Sequence, residues 1–267
     1  MQSHNTPLRP NRVQPQIQFT NKNGQQGIAL FLVIIFVMLS MLLALWASRT
    51  SLFGEMIVGN DADYQRAFEA AQALLQDAEL DIRGETSSGT ACSAPPCRTY
   101  SSALQFPGDS QEINPLITKL EAEATRCKDA LCARRVGRQD FWNFATPETS
   151  ISPAADASLG EVPLSAMTPV GARYGQFTGA AHKTDNGQLN PILAETADGK
   201  GGWYWIEVMR YSDAAKTANL ITDSSTSQLP LNLDVYVIYR ITALAKGRKD
   251  GTTVVLQETY ARQRMKD

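Results

Sequence analysis

Hydrophobic and polar positions change rhythm three times along the chain. From Ile28 to Ala47 every residue is apolar except Ser40. Twenty helical residues at 1.5 Å each span about 30 Å, the thickness of a bilayer's hydrocarbon core, so this run predicts a membrane-spanning helix. The core helix of a soluble protein would carry a polar face, and none is present here. A cleaved secretory signal would have a shorter apolar region, about 7–15 residues, with small residues at the first and third positions before the cut. Ala47 could serve as the first, but Leu45 fails as the third. The segment is therefore expected to remain in the product.

A helical rhythm resumes downstream. Tyr64, Phe68, Ala71, Leu75, Ala78 and Ile82 follow a 4-3-4-3-4 spacing that places them on one stripe. Gln65, Arg66, Glu69, Gln72, Gln76 and Asp77 then fall on the other faces. Gly54, Gly59 and Asn60 lie between the two helical pieces, where they weaken a helix and favour a bend or local unwinding. Gly84 supplies a helix end. The expected element is one long helix over about 28–82, its first half in lipid and its second half packed on a globular domain. Residues 85–115, rich in Ser, Thr, Pro and Gly, read as loop. Residues 116–136 read as a short helix, and 145–200 as long loops.

The third rhythm is alternation. Residues 202–211 are dense in aromatic and β-branched side chains. In 233–245, Leu233, Val235, Val237, Tyr239, Ile241 and Ala243 face one way, and Asp234, Tyr236, Arg240 and Thr242 the other. Residues 252–262 supply a third strand, and the charged connection 246–251 ends in Asp-Gly, a hairpin signal. The predicted fold class is α+β: a long N-terminal helix, half membrane-spanning and half amphipathic, packed on a C-terminal antiparallel β-sheet.

Charge adds orientation. Residues 1–27 carry Arg9, Arg12 and Lys22 and no acid, whereas residues 48–66 mix both signs. The positive-inside rule then places the tail in the cytoplasm and the large C-terminal part across the membrane. The Pro-, Asn- and Gln-rich tail has nothing to bury and is expected to be disordered. A net charge of −2 argues against nucleic acid as the principal partner. Cys92, Cys97, Cys127 and Cys132 all lie in the translocated part, where disulfides persist. Their twofold C-x4-C spacing differs from the C-x2-C of zinc knuckles. The two local pairings, Cys92–Cys97 and Cys127–Cys132, are expected, although spacing alone leaves connectivity open.

Catalytic chemistry finds little support. The two histidines, His4 and His182, lie in a tail and a loop, which disfavours a histidine triad or a multi-histidine metal site. No P-loop, dinucleotide-binding glycine turn or H-E-x-x-H occurs. The acidic pairs Asp61/Asp63 and Glu121/Glu123 read as solvated faces, and Asp185-Asn186-Gly187 as a turn. Trp203, Tyr204 and Trp205 read as core or sheet surface, with a ligand-binding role as the alternative. No catalytic residue, metal or cofactor is expected.

A basic polar leader ending in Gly27, followed by an uninterrupted apolar helix, resembles a type IV prepilin. GIALFLVIIFVMLSML, EMIVGN at 55–60 and RAFEAAQALLQDAE at 66–79 resemble the N-terminal region of the PilX minor pilins. YRITALAKGRKDGTTVVLQETYAR resembles the end of that family. The resemblance implies cleavage by the prepilin peptidase after Gly27 and N-methylation of Ile28. Gly24 is a weaker alternative, since a cut there leaves Gln25 and Gln26 leading the anchor. Major pilins carry glutamate at the fifth mature position, where this chain has Leu32. Its absence suits a rare subunit better than a repeated one.

The resemblance thus implies a non-enzymatic minor pilin that helps to initiate or cap a type IV pilus. Its partners would be other minor pilins, the major pilin, the prepilin peptidase and the inner membrane. The corresponding parts are a cleaved leader (1–27), a membrane helix (28–47), its amphipathic continuation (48–84), a loop-rich region with the cysteines (85–200) and a sheet (201–267). A GspK-like pseudopilin of a type II secretion system is one alternative, and a single-span periplasmic binding protein using Trp203–Trp205 is another.

Overall fold

A computed structural model of the chain describes residues 26–135, 140–143, 162–180, 190–211, 233 and 235–262. Two compact units meet in the sequence between Met56 and Ile57. Helix α1, Gln26–Arg83, contributes to both. It is helical through Gly54, Gly59 and Asn60, with no unwound turn where the sequence suggested one. A single glycine costs a helix only about 1 kcal/mol. The C-terminus of α1 closes as a Schellman motif. Gly84 adopts φ +69°, its N–H donates to the Asp81 carbonyl, and the Glu85 N–H donates to the Leu80 carbonyl.

The second unit is built on a five-stranded sheet in the order β1-β2-β3-β4-β5, comprising Cys127–Lys128, Leu131–Ala133, Gly202–Arg210, Val237–Lys246 and Thr253–Tyr260. Neighbours pair antiparallel except β2 and β3, which are parallel. The alternation expected along 233–245 holds as far as Ile241; from there to Ala245 every residue is buried, Thr242 included, because both faces of the sheet are covered. Leu233, Val237, Tyr239, Ile241 and Ala243 are buried and Tyr236 is exposed; Asp234 lies outside the described residues. The hairpin joining β4 and β5 also forms where the Asp-Gly signal placed it.

The face of the sheet bearing Tyr204, Ile206, Ile241 and Ala243 packs with α1 residues Ala67, Ala70, Leu74 and Ala78 in the main core. The opposite face carries a second cluster of Trp203, Trp205, Leu244, Phe141, Met167 and the Cys127–Cys132 pair. Helix α2, Ile113–Glu121, closes the main core with Ile113, Leu116 and Leu120. Helix α3, Leu164–Met167, brings Met167 to the second cluster.

Two local expectations need correction. The buried face of α1 is wider than the expected stripe and centred one position before it. Its buried line runs Asp63, Ala67, Ala70, Leu74, Asp77 and Asp81, while Tyr64 is 48% exposed and Phe68 and Leu75 are half-buried. Both lines obey the same 4-3-4-3-4 spacing; Ala71, Ala78 and Ile82 of the expected stripe are buried as well, so the buried face spans both lines and is centred on the one bearing the aspartates. Asp63 and Asp77, read as polar-face residues, are 2% and 1% exposed.

The second correction concerns residues 116–136. Helix α2 ends at Glu121, and the second cysteine pair sits on the β1–β2 hairpin instead of a helix. Asp129 and Ala130 form its two-residue loop with φ of 52° and 67°, the doubly positive φ of a type I′ turn. An alanine in that position hides the hairpin from sequence reading, which relies on Asn-Gly or Asp-Gly.

Candidate functional site

Three carboxylates on one face of α1 each hold a different part of the second unit. Asp63 accepts hydrogen bonds from the backbone N–H groups of Arg248 (2.9 Å) and Lys249 (3.1 Å) in the β4–β5 turn. Burial disfavours its charge, yet these donors hold its carboxyl below the usual range. A side chain at Gly247 would run into the Asp63 carboxylate and Thr252, so the turn requires glycine there.

Asp77 accepts from the Gly175 N–H (2.7 Å) and from the Thr178 hydroxyl, which pins residues 174–180 to the helix. Burial dominates and pushes this carboxyl up to about 6, against the pull of its two donors.

Asp81 forms a bidentate pair with Arg98, Nε to Oδ1 at 2.8 Å and Nη2 to Oδ2 at 2.6 Å. The Tyr204 hydroxyl donates to the same carboxylate at 3.2 Å. Arg98 Nη1 donates to the carbonyls of Leu104 and Asp129, both at 2.9 Å, and the guanidinium stacks 3.8 Å from the Phe177 ring centroid. One buried arginine therefore joins α1, the loop after the first disulfide, the β1–β2 turn and the 174–180 loop. Cys97, its chain neighbour, is bonded to Cys92.

The other face of the sheet has a smaller version of the same device. Glu207 on β3 receives the backbone N–H and the guanidinium of Arg135, both at 3.2 Å, and the Arg240 guanidinium. Arg135 lies 4.8 Å over the Phe141 ring, and the Trp205 indole donates to the Met167 carbonyl at 2.9 Å. The second disulfide, Cys127–Cys132, joins directly opposed residues of β1 and β2 beside this cluster. Trp203, Tyr204 and Trp205 are all buried, so the aromatic run is core and presents no ring to a ligand.

The residues singled out at the N-terminus are placed differently. Gly27 and Ile28 lie in the first turn of α1, and Leu32 one turn on is 48% exposed. No side chain from Ile28 to Val58 is buried. The exposed apolar surface continues past Ala47 through Leu52, Phe53, Met56, Ile57 and Val58. His4, His182 and Asp185-Asn186-Gly187 lie outside the described residues.

This layout, an uncovered apolar helix leading into a helix seam on a mostly antiparallel sheet, coincides with the comparison of the chain to family models. The C-terminal model of the type IV pilus assembly protein PilX matches residues 123–262, more than half of the chain, and the PilX N-terminal model matches residues 26–76. The chain belongs to the PilX family. No curated protein and no solved structure matches it. As a PilX chain it is a minor pilin of the type IV pilus, a structural component that associates with other pilus components. Its apolar helix fits a single-pass membrane anchor.

The family models cover the apolar run and Asp63, whereas Asp77, Asp81 and Arg98 lie between the two matched segments. Asp63, Asp77 and Asp81 in this PilX chain were legible in one respect: their separations of 14 and 4 residues keep them on one helix face. Arg98, Arg135 and Glu207 carried no comparable signal, since their partners lie on distant elements.

The buried pair and an exposed pair on the same helix make a direct contrast. Arg98→Met leaves Asp81 buried without its cation and is expected to lower stability by about 3–5 kcal/mol in urea unfolding of the detergent-solubilised chain. Arg83→Met removes half-exposed pairs with Glu79 and Glu85 and should cost no more than about 1 kcal/mol.

A pH effect follows from Glu258 on β5. Partial burial, reinforced by the neighbouring Glu79 carboxylate, pushes its carboxyl up to about 7. A folded value above the unfolded one means that the folded state holds the proton longer, so stability falls as pH rises from about 4.5 to 7. Glu258→Gln should flatten that part of the stability profile, matching the parent at pH 4 and exceeding it at pH 8.

Proposed function

We propose that this minor pilin helps to initiate or cap the pilus at the inner membrane. The observation carrying the proposal is the length of helix whose apolar side chains are left uncovered. The helix from Ile28 to Val58 comprises 31 residues without a buried side chain, about 46 Å, whereas the hydrocarbon core of a bilayer covers about 30 Å; past Ala47 its apolar residues are interspersed with Arg49 and Glu55. Leu52, Phe53, Met56, Ile57 and Val58 need cover that lipid tails alone do not supply, and the helices of neighbouring pilins are the apolar surface of matching form.

The leader 1–27 faces the cytoplasm and is removed by the prepilin peptidase after Gly27; Ile28 is then N-methylated, and the sheet-bearing unit is periplasmic. Glycine leaves the cut unobstructed by a side chain. Leu32 at the fifth mature position brings no charge into an apolar filament core, where a buried carboxylate requires a partner. Such a subunit enters without forming the charge contact that would order a repeated stack, which suits a terminal or priming position. The four cysteines then lie in an oxidising compartment, consistent with the two bonded pairs.

Two measurements test this reading. The mature N-terminal peptide should begin at methylated Ile28 when the prepilin peptidase is active and at Met1 when it is not; an uncut leader in both samples defeats the cleavage assignment. Deleting the chain should sharply reduce the number of surface pili while major pilin accumulates in the membrane. Unchanged pilus number would remove the initiating role.

A further inference from the structure

A cavity of about 410 Å³ opens between the β4–β5 turn and the 191–201 loop. Lys200, Lys246, Arg248 and Lys249 line it, against the carboxylates of Glu195 and Asp250. Glu195 is turned to its own loop, where Oε1 accepts the Ala197 N–H at 2.9 Å. Lys249 Nζ is held at 2.9 Å by the Asn60 side-chain oxygen, which is neutral. Lys200, Lys246 and Arg248 take part in no ion pair among the described residues. Lys200, Lys246, Arg248 and Lys249 thus outnumber the two carboxylates that line the same concavity, and Asp63 beneath the turn offsets part of the Lys249 charge.

The wall that carries them is held in place. Asp63 fixes the backbone of Arg248 and Lys249, and Gly247 lies against that carboxylate. On the opposite wall, the Arg173 guanidinium ties down the loop through the carbonyls of Lys200 (2.7 Å) and Glu195 (3.2 Å) while stacking 4.0 Å from the Trp203 ring. Lys246 also lies over that ring, at 5.9 Å. A preformed concave site lined by Arg and Lys lowers the ordering cost of capturing an oxyanion, and guanidinium with ammonium donors is the pairing that phosphate chemistry favours.

We propose that this cavity binds a phosphate ester, the negatively charged phosphate meeting Lys200, Lys246 and Arg248 and its small polar substituent filling the remaining volume. The phosphate is supplied either by an anionic phospholipid headgroup or by a soluble phosphate ester.

The test is a calorimetric titration of the full chain, in uncharged detergent at low salt, with glycerol phosphate and with short-chain phosphatidylglycerol. Saturable one-site binding is expected, weakened at least about tenfold by Lys200→Gln and by Arg248→Gln and largely retained in Arg248→Lys. Both positions are exposed, so the glutamine variants should unfold at the parent's urea midpoint. Phosphatidylglycerol binding more tightly than glycerol phosphate, with the same dependence on Lys200 and Arg248, identifies the lipid headgroup as the source. Equal affinity for the two identifies a soluble ester. Absence of saturable binding to either probe, or binding that both glutamine variants leave unchanged, overturns the proposal.

Discussion

Burying an ionised carboxylate in a protein interior is tolerated only where hydrogen-bond donors or a cation meet it closely. Helix α1 of this pilin imposes that condition three times along one line, at Asp63, Asp77 and Asp81. Between the carboxylates the line is made of Ala67, Ala70 and Leu74, which lie against the sheet with little side-chain bulk. The packing is close enough that a methyl group at Gly202 would come within 2.6 Å of Leu74 Cδ1. A close apolar contact and three acids share one surface because each acid is answered by a loop folding back over it. The β4–β5 turn, the 174–180 loop and the Arg98 loop all take their positions from this requirement.

The same logic orders the second face of the sheet at smaller scale. Glu207 there is answered by two arginines, one from the segment after β2 and one from β4. Apolar contacts supply most of the cohesion on both faces, as area-proportional burial dictates. The ionic groups specify which loop goes where. Loss of a single cation is therefore costly, although replacement of both partners by well-packed apolar groups need not be.

What the sequence made legible was whatever depends on neighbours in the chain. The apolar run from Ile28, the helix end at Gly84, the alternation in the first half of β4 and the Asp-Gly turn before β5 all rest on local rules. The failures arose where a distant residue decides the outcome. Asp77 looks solvated until Gly175 and Thr178, about a hundred residues on, are seen to receive it. The β1–β2 hairpin has strands of two and three residues and a turn without glycine, and it is supported by parallel pairing of Leu131–Ala133 with Ile206–Val208. Of the candidate site, the Gly27–Ile28 border and Leu32 could be read in advance, whereas Arg98 and the basic cavity required the fold.

The attachment of Asp63 has a consequence for the order in which the molecule becomes whole. The groups that satisfy this carboxylate are 185 and 186 residues further along the chain, in the β4–β5 turn. Ribosomal synthesis thus delivers Asp63 long before the turn that caps it. A prematurely terminated chain keeps a hydrophobic stem but carries bare acid where the finished subunit has a closed turn. The state of the Asp63 carboxylate in this way registers whether the β4–β5 turn has been made.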